Sequence, residues 1–447
     1  MPKFPMMKIC ILFLFFYIAF LSPAAGFGQT PPKDNLDIIY MEANQDLAEG
    51  RFVEALHKFK KLLDIDNDNA YALERLRYAR EEQEALTKKT VISQTPDPKK
   101  AGLRIYKPEK CFNGYTLFAH RNLKIESVAN AYLPVYLIDM NGSIVHEWIV
   151  EEDTISASLK PDGTLVYING SSLVEVDPES NTIAAFEGMI DHAFQVLPGG
   201  KYLISRQESG NPNTGTPELP RIEIIKPPEN ISWSWDGEAH IQELERVAVT
   251  KITFKGWWAN NNACEVLDDT PAAAGNSAFR KGNILFGLSA LNIIGVLDYP
   301  SGNILWAWPC AEVIVEGHHS TTMLPNGNIL IFDNGIHQRW SRVIELNPVT
   351  ECMEWEYHAE PKESFFSKTM SSAQRLPNGN TLICEAEKNR IFEITPEGEI
   401  VWDFISDFNT KTGCDLIYRA TRYSPEYIQP LRERLKKAKE QRWPKKR

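Results

Sequence analysis

Two histidines in this chain stand at the same distance from a turn. His192 and His319 each lie six residues before a proline, in DHAFQVLPGG and HHSTTMLPNGN. A neutral imidazole has one nucleophilic nitrogen and titrates near neutral pH, so such a pair can form a covalent intermediate or move protons. If the two stretches are equivalent parts of a repeated structure, the two imidazoles lie at equivalent heights.

Polar side chains also precede the corresponding turns elsewhere in the chain. Asn260 and Asn262 lie in NNNACEVL, and Ser371 and Ser372 lie in MSSAQRL before Pro377. Convergent polar groups favour a binding or catalytic site; the alternative is a set of channel side chains hydrogen-bonded around ordered water. No third histidine or carboxylate joins these stretches at the same height, so we predict no metal site.

The elements that position these residues are turns followed by short apolar strands. The clearest copy is LPNGNILIF, in which proline presets φ and glycine accepts a positive φ. Six copies share the glycines Gly114, Gly163, Gly200, Gly282, Gly327 and Gly379. Their spacings of 49, 37, 82, 45 and 52 residues indicate one repeat length with one insertion, a period typical of propellers and solenoids.

A second pattern of strand, turn and strand follows each of these copies. Examples are VLDYPSGNILWAW and EITPEGEIVWDF, and every copy ends on a large aromatic residue that suits packing between stacked sheets. The closing aromatic residues are Trp148, Phe186, Trp235, Trp306, Trp355 and Trp402. The pattern predicts a mainly β fold, a six-bladed β-propeller over residues 104–430, with the histidine stretches nearest its axis. Excursions at 208–221 and 268–281 either rim one face of the disc or are neutral insertions.

The chain before the propeller divides into three segments. Residues 1–28 have basic, apolar and then small residues in the order of a signal peptide, so we expect export to the periplasm or beyond, with cleavage near residues 24–28. Residues 36–90 have helical spacing around Gly50 and resemble a tetratricopeptide repeat. Since one such unit cannot bury a core alone, it is either a protein-binding or self-association module or a hairpin packed on the propeller. We interpret residues 91–103 as a polar linker.

Charge and cysteine content restrict the class of protein. The net charge of −11 over 447 residues argues against a nucleic-acid-binding protein. The basic tail, residues 431–447, is a solvated helical end or makes weak contact with an anionic membrane. The absence of any CxxC pair argues against a zinc ribbon, and the cysteines left after removal of the leader are either disulfide-bonded or buried thiols.

Residues from about 104 to 425 resemble the bacterial aryl-sulfate sulfotransferases that do not use a nucleotide sulfate donor. The resemblance is carried by GHHSTTMLPNGNILIFDNG, RVIELNPVTECMEWEY, FFSKTMSSAQRLPNGNTLI and RIFEITPEGEIVWDF. It implies a periplasmic six-bladed propeller without a cofactor. Such an enzyme transfers a sulfuryl group from a phenolic sulfate ester to an acceptor phenol through a sulfo-histidine.

The resemblance also assigns roles to individual residues. His319 would be the nucleophile, and His192 would bind the sulfuryl oxygens or assist proton transfer to the leaving phenolate. The other candidates for contact with the substrate are Asn260, Asn262, His318, Ser371 and Ser289, although strand alternation points His318 away from His319.

Two positions depart from the family pattern. Asn260 stands where the family has a third histidine, and Ser289 stands where it has an arginine. Loss of such a cation lowers catalysis by about 10²–10³-fold unless another residue, for which Arg206, Arg339 and Arg342 are candidates, replaces it. Two functions therefore remain open, a divergent exported sulfotransferase and a non-catalytic propeller that acts as a scaffold or binds a ligand.

Overall fold

The structure is a computed structural model, and it divides into two compact units, residues 1–80 and 81–447. It describes residues 39, 41–46, 52–65, 76, 89–94, 101–121, 133–150, 154–170, 172–207, 220–228, 230–247, 261–309, 315–408 and 416–442. The signal-peptide prediction, Gly50 and Asn260 lie outside the described residues. Among the described residues, no helix combines the length and apolar character that crossing a bilayer requires.

The first unit contains helical turns at residues 41–46 and the helix α1 (Phe52–Ile65). The apolar residues of α1 recur at intervals of three and four, so one face of the helix is apolar, and Ala55, Phe59 and Leu62 on it are buried. Lys58 of α1 forms an ion pair with Asp46 at 2.7 Å. These helices lie where the sequence predicted them, and the tetratricopeptide resemblance and any role in partner binding stay predictions.

The second unit consists of six β-sheets, which we number as blades 1–6. Blade 1 consists of β26 (Leu416–Tyr423), β3 (Tyr115–Arg121), β4 (Leu133–Ile138) and β5 (Ile144–Val150). Blade 2 consists of β6 (Ser156–Leu159), β7 (Leu165–Ile168), β8 (Ser172–Val176) and β9 (Thr182–Glu187). Blade 3 consists of β10 (Ile190–Leu197), β11 (Lys201–Gln207), β12 (Pro220–Lys226) and β13 (Asn230–Asp236). Within each blade the strands pair in the order given, from the axis outwards.

Blades 4–6 follow the same order, and the last two have a fifth, outermost strand from the start of the unit. Blade 4 consists of β14 (Asn261–Val266), β15 (Ile284–Leu288), β16 (Ile293–Leu297) and β17 (Ile304–Pro309). Blade 5 consists of β18 (His319–Met323), β19 (Ile329–Asp333), β20 (Arg342–Asn347), β21 (Cys352–Glu360) and β1 (Lys89–Gln94). Blade 6 consists of β22 (Ser372–Arg375), β23 (Thr381–Glu385), β24 (Arg390–Ile394), β25 (Ile400–Ile405) and β2 (Gly102–Tyr106).

Short helices interrupt this unit. The α-helices are α2 (Ile241–Val247), α3 (Ala272–Gly275) and α4 (Gln429–Arg442), and the 3₁₀ turns are Gly237–His240, Ser277–Phe279, Ser289–Leu291, Lys362–Ser364 and Ala386–Lys388.

The blades close into a ring. The innermost strands contact one another in the order β6, β10, β14, β18, β22 and β26, and β26 contacts β6 again. Because β26 pairs with β3, the end of the chain completes the first blade. Blades 1 and 4 therefore face each other across the axis.

The predicted six-bladed, mainly β fold is confirmed, including its inner strands. The stretches that contain His192, Asn262, His319 and Ser372 correspond to the inner strands β10, β14, β18 and β22. All six closing aromatic residues lie on the fourth strand of a blade and are at least nine-tenths buried. Their burial between neighbouring sheets stabilises the ring, because a large aromatic side chain contributes the most apolar area per residue.

Two predicted boundaries need correction, and one of the two excursions can be placed. Residues 91–94 are not part of a linker and residues 89–90 are not helical, since β1 pairs in parallel with β21 from Lys89 opposite Trp355 to Gln94 opposite Glu360. The predicted tail begins inside the folded unit, because α4 starts at Gln429 and Leu431 is fully buried. The excursion at 268–281 folds as α3 and a 3₁₀ turn at the end of the ring where the Pro-Asn-Gly turns lie. We call that end the turn face.

Candidate functional site

Four of the six innermost strands contain β-bulges at the positions of polar residues. The pairing register shifts between Ile190 and Phe194, Asn261 and Ala263, His319 and Thr322, and Ile417 and Ala420. A bulge turns a side chain away from the strict alternation of a strand. These four interruptions bring side chains from blades 1, 3, 4 and 5 together near the axis.

His319 is buried and carries a proton on Nδ1. Its Nδ1 lies 2.9 Å from the Gly317 carbonyl oxygen and 2.8 Å from Asn334 Oδ1. The Asn334 amide is oriented by its own Nδ2, which donates to the Ser367 and Met370 carbonyl oxygens at 2.8 and 3.0 Å. Both neighbours of Nδ1 are therefore acceptors, so Nδ1 holds the hydrogen and Nε2 keeps its lone pair.

The Nε2 atom of His319 is chemically available. It makes no hydrogen bond with a described residue. Burial lowers the pKa of His319 to about 4, and electrostatic interactions with His192 and Arg419 act in the same direction. The imidazole is neutral at neutral pH, as a nitrogen nucleophile requires.

His192 lies in blade 3 beside a buried carboxylate. Its Nδ1 contacts Asp191 Oδ1, and Asp191 Oδ2 accepts a hydrogen bond from the Asn261 backbone at 2.8 Å. An aspartate held in this way fixes the orientation of an imidazole. The arrangement suits a group that gives and takes a proton.

Tyr418 of β26 contacts both histidines. Its ring stacks on His192 with centroids 5.4 Å apart and meets His319 edge-on at 6.1 Å. Burial raises the pKa of Tyr418, so its hydroxyl stays protonated and donates to Asn262 Oδ1 at 3.2 Å. The predicted convergence of His192 and His319 is thus observed, with Tyr418 as their common neighbour.

Tyr418 and Arg419 reach across the axis from blade 1 to blade 4. Beside the tyrosine hydroxyl, Arg419 Nη2 donates to the Asn262 carbonyl oxygen at 3.3 Å. Asn262 is fully buried and its Nδ2 donates to Ser289 Oγ at 2.7 Å. These contacts span the axis at this level, and we call Tyr418, Arg419 and Asn262 the crossbar.

Arg419 provides a positive charge, which Ser289 does not. It makes no ion pair with a carboxylate among the described residues. The three arginines considered from the sequence do not take this place: Arg206 pairs with Glu223, Arg342 pairs with Asp333, and Arg339 is exposed.

The other predicted contact residues have structural roles. Ser371 is buried and its Oγ accepts from the Ala386 backbone at 3.1 Å, and Ser289 binds Asn262. His318 is fully buried, and its ring lies so close to Gly287 that a Cβ there would be 3.0 Å from Nε2. The prediction that His318 contacts the substrate is therefore corrected, because its side chain fills the space between two strands.

A cavity of about 740 Å³ occupies the channel between the crossbar and the turn face. On five strands it begins at the residue directly after the level of the histidines, at Ala193, Asn262, Ser320, Ser372 and Arg419. Among the described residues, no group of three His, Cys, Asp or Glu side chains is arranged to hold a metal ion. The four described cysteines, Cys111, Cys264, Cys352 and Cys384, are free thiols.

The buried histidines make stability depend on pH. Burial lowers the pKa of His318 to about 3 and that of His319 to about 4, against an ordinary value of 6.5. Between pH 6.5 and 4 the unfolded chain binds more protons, so the free energy of unfolding falls as the pH falls through this window. Above pH 6.5 the stability that depends on the neutral histidines is fully present. The lowered pKa of His319 accounts for a difference on the order of 3 kcal/mol in the free energy of unfolding between high and low pH.

Urea unfolding at pH 7 and pH 4.5 tests this expectation. The variant His319→Gln should lose less stability on acidification than the wild type, because glutamine takes up no proton on unfolding. Equal losses for wild type and His319→Gln would show that His319 is not held neutral by the fold.

Comparison with known proteins identifies one family. Residues 311–407 match the family described as Arylsulfotransferase (ASST), and this segment contains His319 and Asn334. The match confirms the resemblance stated from the sequence over these residues. No curated protein sequence matches the chain.

Similar solved structures are distant in sequence. A protein of unknown function from Bacteroides caccae is 14% identical over 69% of this chain and 98% of its own, with a TM-score of 0.46. A streptogramin B lyase is 11% identical over 69% of this chain and 98% of its own, with a TM-score of 0.41. A virginiamycin B lyase from Staphylococcus aureus is 11% identical over 72% of this chain and 99% of its own, with a TM-score of 0.41.

Proposed function

We propose that this protein is an arylsulfotransferase-like enzyme that moves a sulfuryl group from a phenolic sulfate ester to a phenol through His319. The single observation that carries the proposal is the bonding of the His319 ring. Its Nδ1 hydrogen is held by Gly317 and Asn334, which leaves Nε2 as a neutral nucleophile. The family match over residues 311–407 supplies the reaction class.

In the first half of the reaction, His319 Nε2 attacks the sulfur atom of the ester. The N–S bond forms while the S–O bond to the aryl group breaks, and the phenolate leaves with the bonding pair. Asn334 Oδ1 and the Gly317 carbonyl oxygen accept the Nδ1 hydrogen and so stabilise the positive charge that the ring gains. His192, held by Asp191, is placed to give the phenolate a proton.

In the second half, the hydroxyl oxygen of an acceptor phenol attacks the same sulfur atom. The new S–O bond forms, the N–S bond breaks, and His319 returns to its neutral form. His192 takes the proton of the acceptor's hydroxyl, which replaces the proton that it gave to the first phenolate. Since each product leaves before the next reactant binds, the kinetics should be ping-pong.

Arg419 balances the negative charge of the sulfuryl group during both transfers. Its guanidinium lacks a carboxylate partner among the described residues, and its charge already acts on His319. A preorganised cation in a site that excludes water stabilises a developing anion strongly. In this proposal Arg419 does the work of the arginine that the family has at the position of Ser289.

A chromogenic aryl sulfate with and without a phenol acceptor tests the proposal. We expect phenol release that continues only while the acceptor is present, and a sulfated acceptor in equal amount. Release of inorganic sulfate at the same rate without the acceptor would mean hydrolysis, and no release above the uncatalysed rate would refute the proposal.

The replacement Asn334→Ala should lower the rate of sulfuryl transfer by about 10²-fold, the scale expected when a reacting group loses its positioning. Without Asn334 Oδ1 the imidazole loses its strongest hold on the Nδ1 hydrogen and populates the wrong tautomer. Steady-state kinetics should show a lower kcat with little change in KM. Asn380→Ala, a buried asparagine near the turn face, serves as the matched control.

The alternative function is a non-catalytic propeller that binds a ligand. It is favoured by Ser289, which binds Asn262 and brings no charge to the place where the family has an arginine. A protein that binds aryl sulfate without releasing phenol would support this alternative.

We propose in addition that the protein is exported, that residues 36–90 bind a protein partner or a second copy, and that the basic tail contacts anionic lipid. The support is the order of basic, apolar and small residues before residue 28, the resemblance of residues 36–90 to a tetratricopeptide repeat, and the exposed Arg432 and Arg434 on α4. Expression with a tagged C-terminus, followed by cell fractionation, tests the export.

A further inference from the structure

The turn after β19 begins with Asn334, the residue whose amide fixes the His319 ring. The next residue, Gly335, has a φ of 60°, and a Cβ on it would lie 2.0 Å from the Trp340 carbonyl oxygen. Glycine alone tolerates both the left-handed backbone and this close approach. The chain therefore returns to Asn334 within seven residues and places Ser341 against its backbone.

The Ser341 hydroxyl joins this turn to the loop before β22. Ser341 is fully buried, and its Oγ donates to the Asn334 carbonyl oxygen at 2.9 Å and accepts from the Ser367 backbone at 3.0 Å. Its own backbone donates to the Phe365 carbonyl oxygen at 2.7 Å. One side chain thus ties Asn334 to Ser367, and the Ser367 carbonyl oxygen in turn accepts from Asn334 Nδ2.

The second acceptor of the Asn334 amide, the Met370 carbonyl oxygen, belongs to a strained piece of backbone. Met370 and Ser371 both have left-handed φ values, 59° and 83°. Such values persist in non-glycine residues only where the surroundings hold them. Here the Ser371 backbone donates to the Tyr418 carbonyl oxygen at 3.1 Å, and its hydroxyl accepts from the Ala386 backbone. Both acceptors are therefore fixed by contacts outside the strand that carries His319.

These contacts determine which tautomer His319 adopts. While Nδ2 donates to two carbonyl oxygens, Asn334 presents Oδ1 to the His319 Nδ1 hydrogen. A rotated amide would turn Oδ1 towards those carbonyl oxygens and offer a donor to Nδ1, which favours the tautomer with its hydrogen on Nε2. That tautomer has no lone pair on Nε2 with which to attack sulfur.

We propose that Ser341 is a positioning residue, which keeps the Asn334 amide in the orientation that leaves Nε2 of His319 unprotonated. Without its hydroxyl, the Asn334 and Ser367 backbones are no longer tied to each other, and the amide is free to rotate. The inference rests on the proposed function where it concerns the rate of sulfuryl transfer. The tautomer of His319 is measured without any substrate, so the two can fail separately.

NMR of the full chain with isotope-labelled histidine nitrogens, at neutral pH, tests the proposal. The signals lost in His319→Gln assign the His319 ring. We expect the wild type to hold its hydrogen on Nδ1, and Ser341→Ala to show a second population with the hydrogen on Nε2. Ser341→Cys, which has nearly the same size and a weaker hydrogen-bonding group, should lie between them, and it carries the test if the alanine variant does not fold.

Transfer rates show whether Ser341 acts through Asn334. Ser341→Ala should lower kcat by about 5- to 10-fold with little change in KM, the scale of one lost hydrogen bond. The double variant Ser341→Ala/Asn334→Ala should be no slower than Asn334→Ala alone. Ser406→Ala removes another buried hydroxyl, which lies 2.8 Å from His120 Nε2, and it should leave both the His319 tautomer and the rate unchanged.

Three results would overturn the proposal. One is an unchanged His319 tautomer in both Ser341 variants, and another is the same change of tautomer in Ser406→Ala. The third is an equal loss of rate from Ser341→Ala with and without the Asn334 side chain, which would indicate a general structural effect. A wild type without transferase activity, in which Ser341→Ala still shifts the tautomer, would refute the proposed function and support the positioning role.

Discussion

Sulfuryl transfer by the variant His319→Ala is expected to fall to the rate of the uncatalysed reaction, a loss of at least about 10⁴-fold, as for the removal of a covalent nucleophile. Alanine has no atom that can form the N–S bond, and the proposed path has no other nucleophile at this level of the channel. The hydrogen bonds that His319 makes to Gly317 and Asn334 are lost at the same time, but these only orient the ring.

A matched control separates chemistry from folding. His358→Ala also removes a buried imidazole, on the outer part of blade 5, and should keep transfer activity within about threefold of the wild type. If His319→Ala retained a tenth or more of the wild-type rate, His319 would not be the nucleophile, whatever the fold.

The variant Arg419→Gln should lower transfer by about 10²–10³-fold, the scale seen when one electrostatic donor is removed from an active site. Glutamine keeps a donor of similar length but has no charge, so the sulfuryl oxygens would lose their cation. The charge of Arg419 also lowers the pKa of His319, so that pKa should rise in the variant. The effect should appear in kcat, because the charge acts most strongly in the transition state.

Two further variants make this result specific. Arg419→Lys, which retains the charge without the planar geometry, should recover part of the loss. Arg375→Gln removes an arginine from the other end of the same cavity, and it should leave transfer nearly unchanged. Equal losses in Arg419→Gln and Arg375→Gln would mean that the total charge of the channel matters, rather than a cation beside His319.

The sequence predicted the fold well because each blade repeats the same local signals. Glycine turns and closing aromatic residues such as Trp402 occur once per unit, and their spacing alone predicts how many blades there are. The distance of His192 and His319 from their prolines predicted a shared level because equivalent strands in a propeller start at equivalent heights. Both expectations needed only local periodicity.

The residues that the sequence did not predict depend on long-range geometry. Tyr418 and Arg419 lie on the strand that closes the ring, and they reach the site only because β26 pairs with β3 near the other end of the unit. Their bulge also breaks the alternation from which side-chain directions are inferred. Two weaker signals were present, the carboxylate of Asp191 beside His192 and the FDNG turn that carries Asn334 after the histidine strand.

Intact-mass spectrometry of the full chain after brief exposure to an aryl sulfate, without an acceptor, tests the central claim most directly. The proposal predicts a gain in mass of one sulfuryl group, located on His319 by peptide analysis and removed when a phenol is added. A wild-type protein that turns over the donor and acceptor but never carries this adduct would contradict a covalent role for His319. So would an adduct on any other residue.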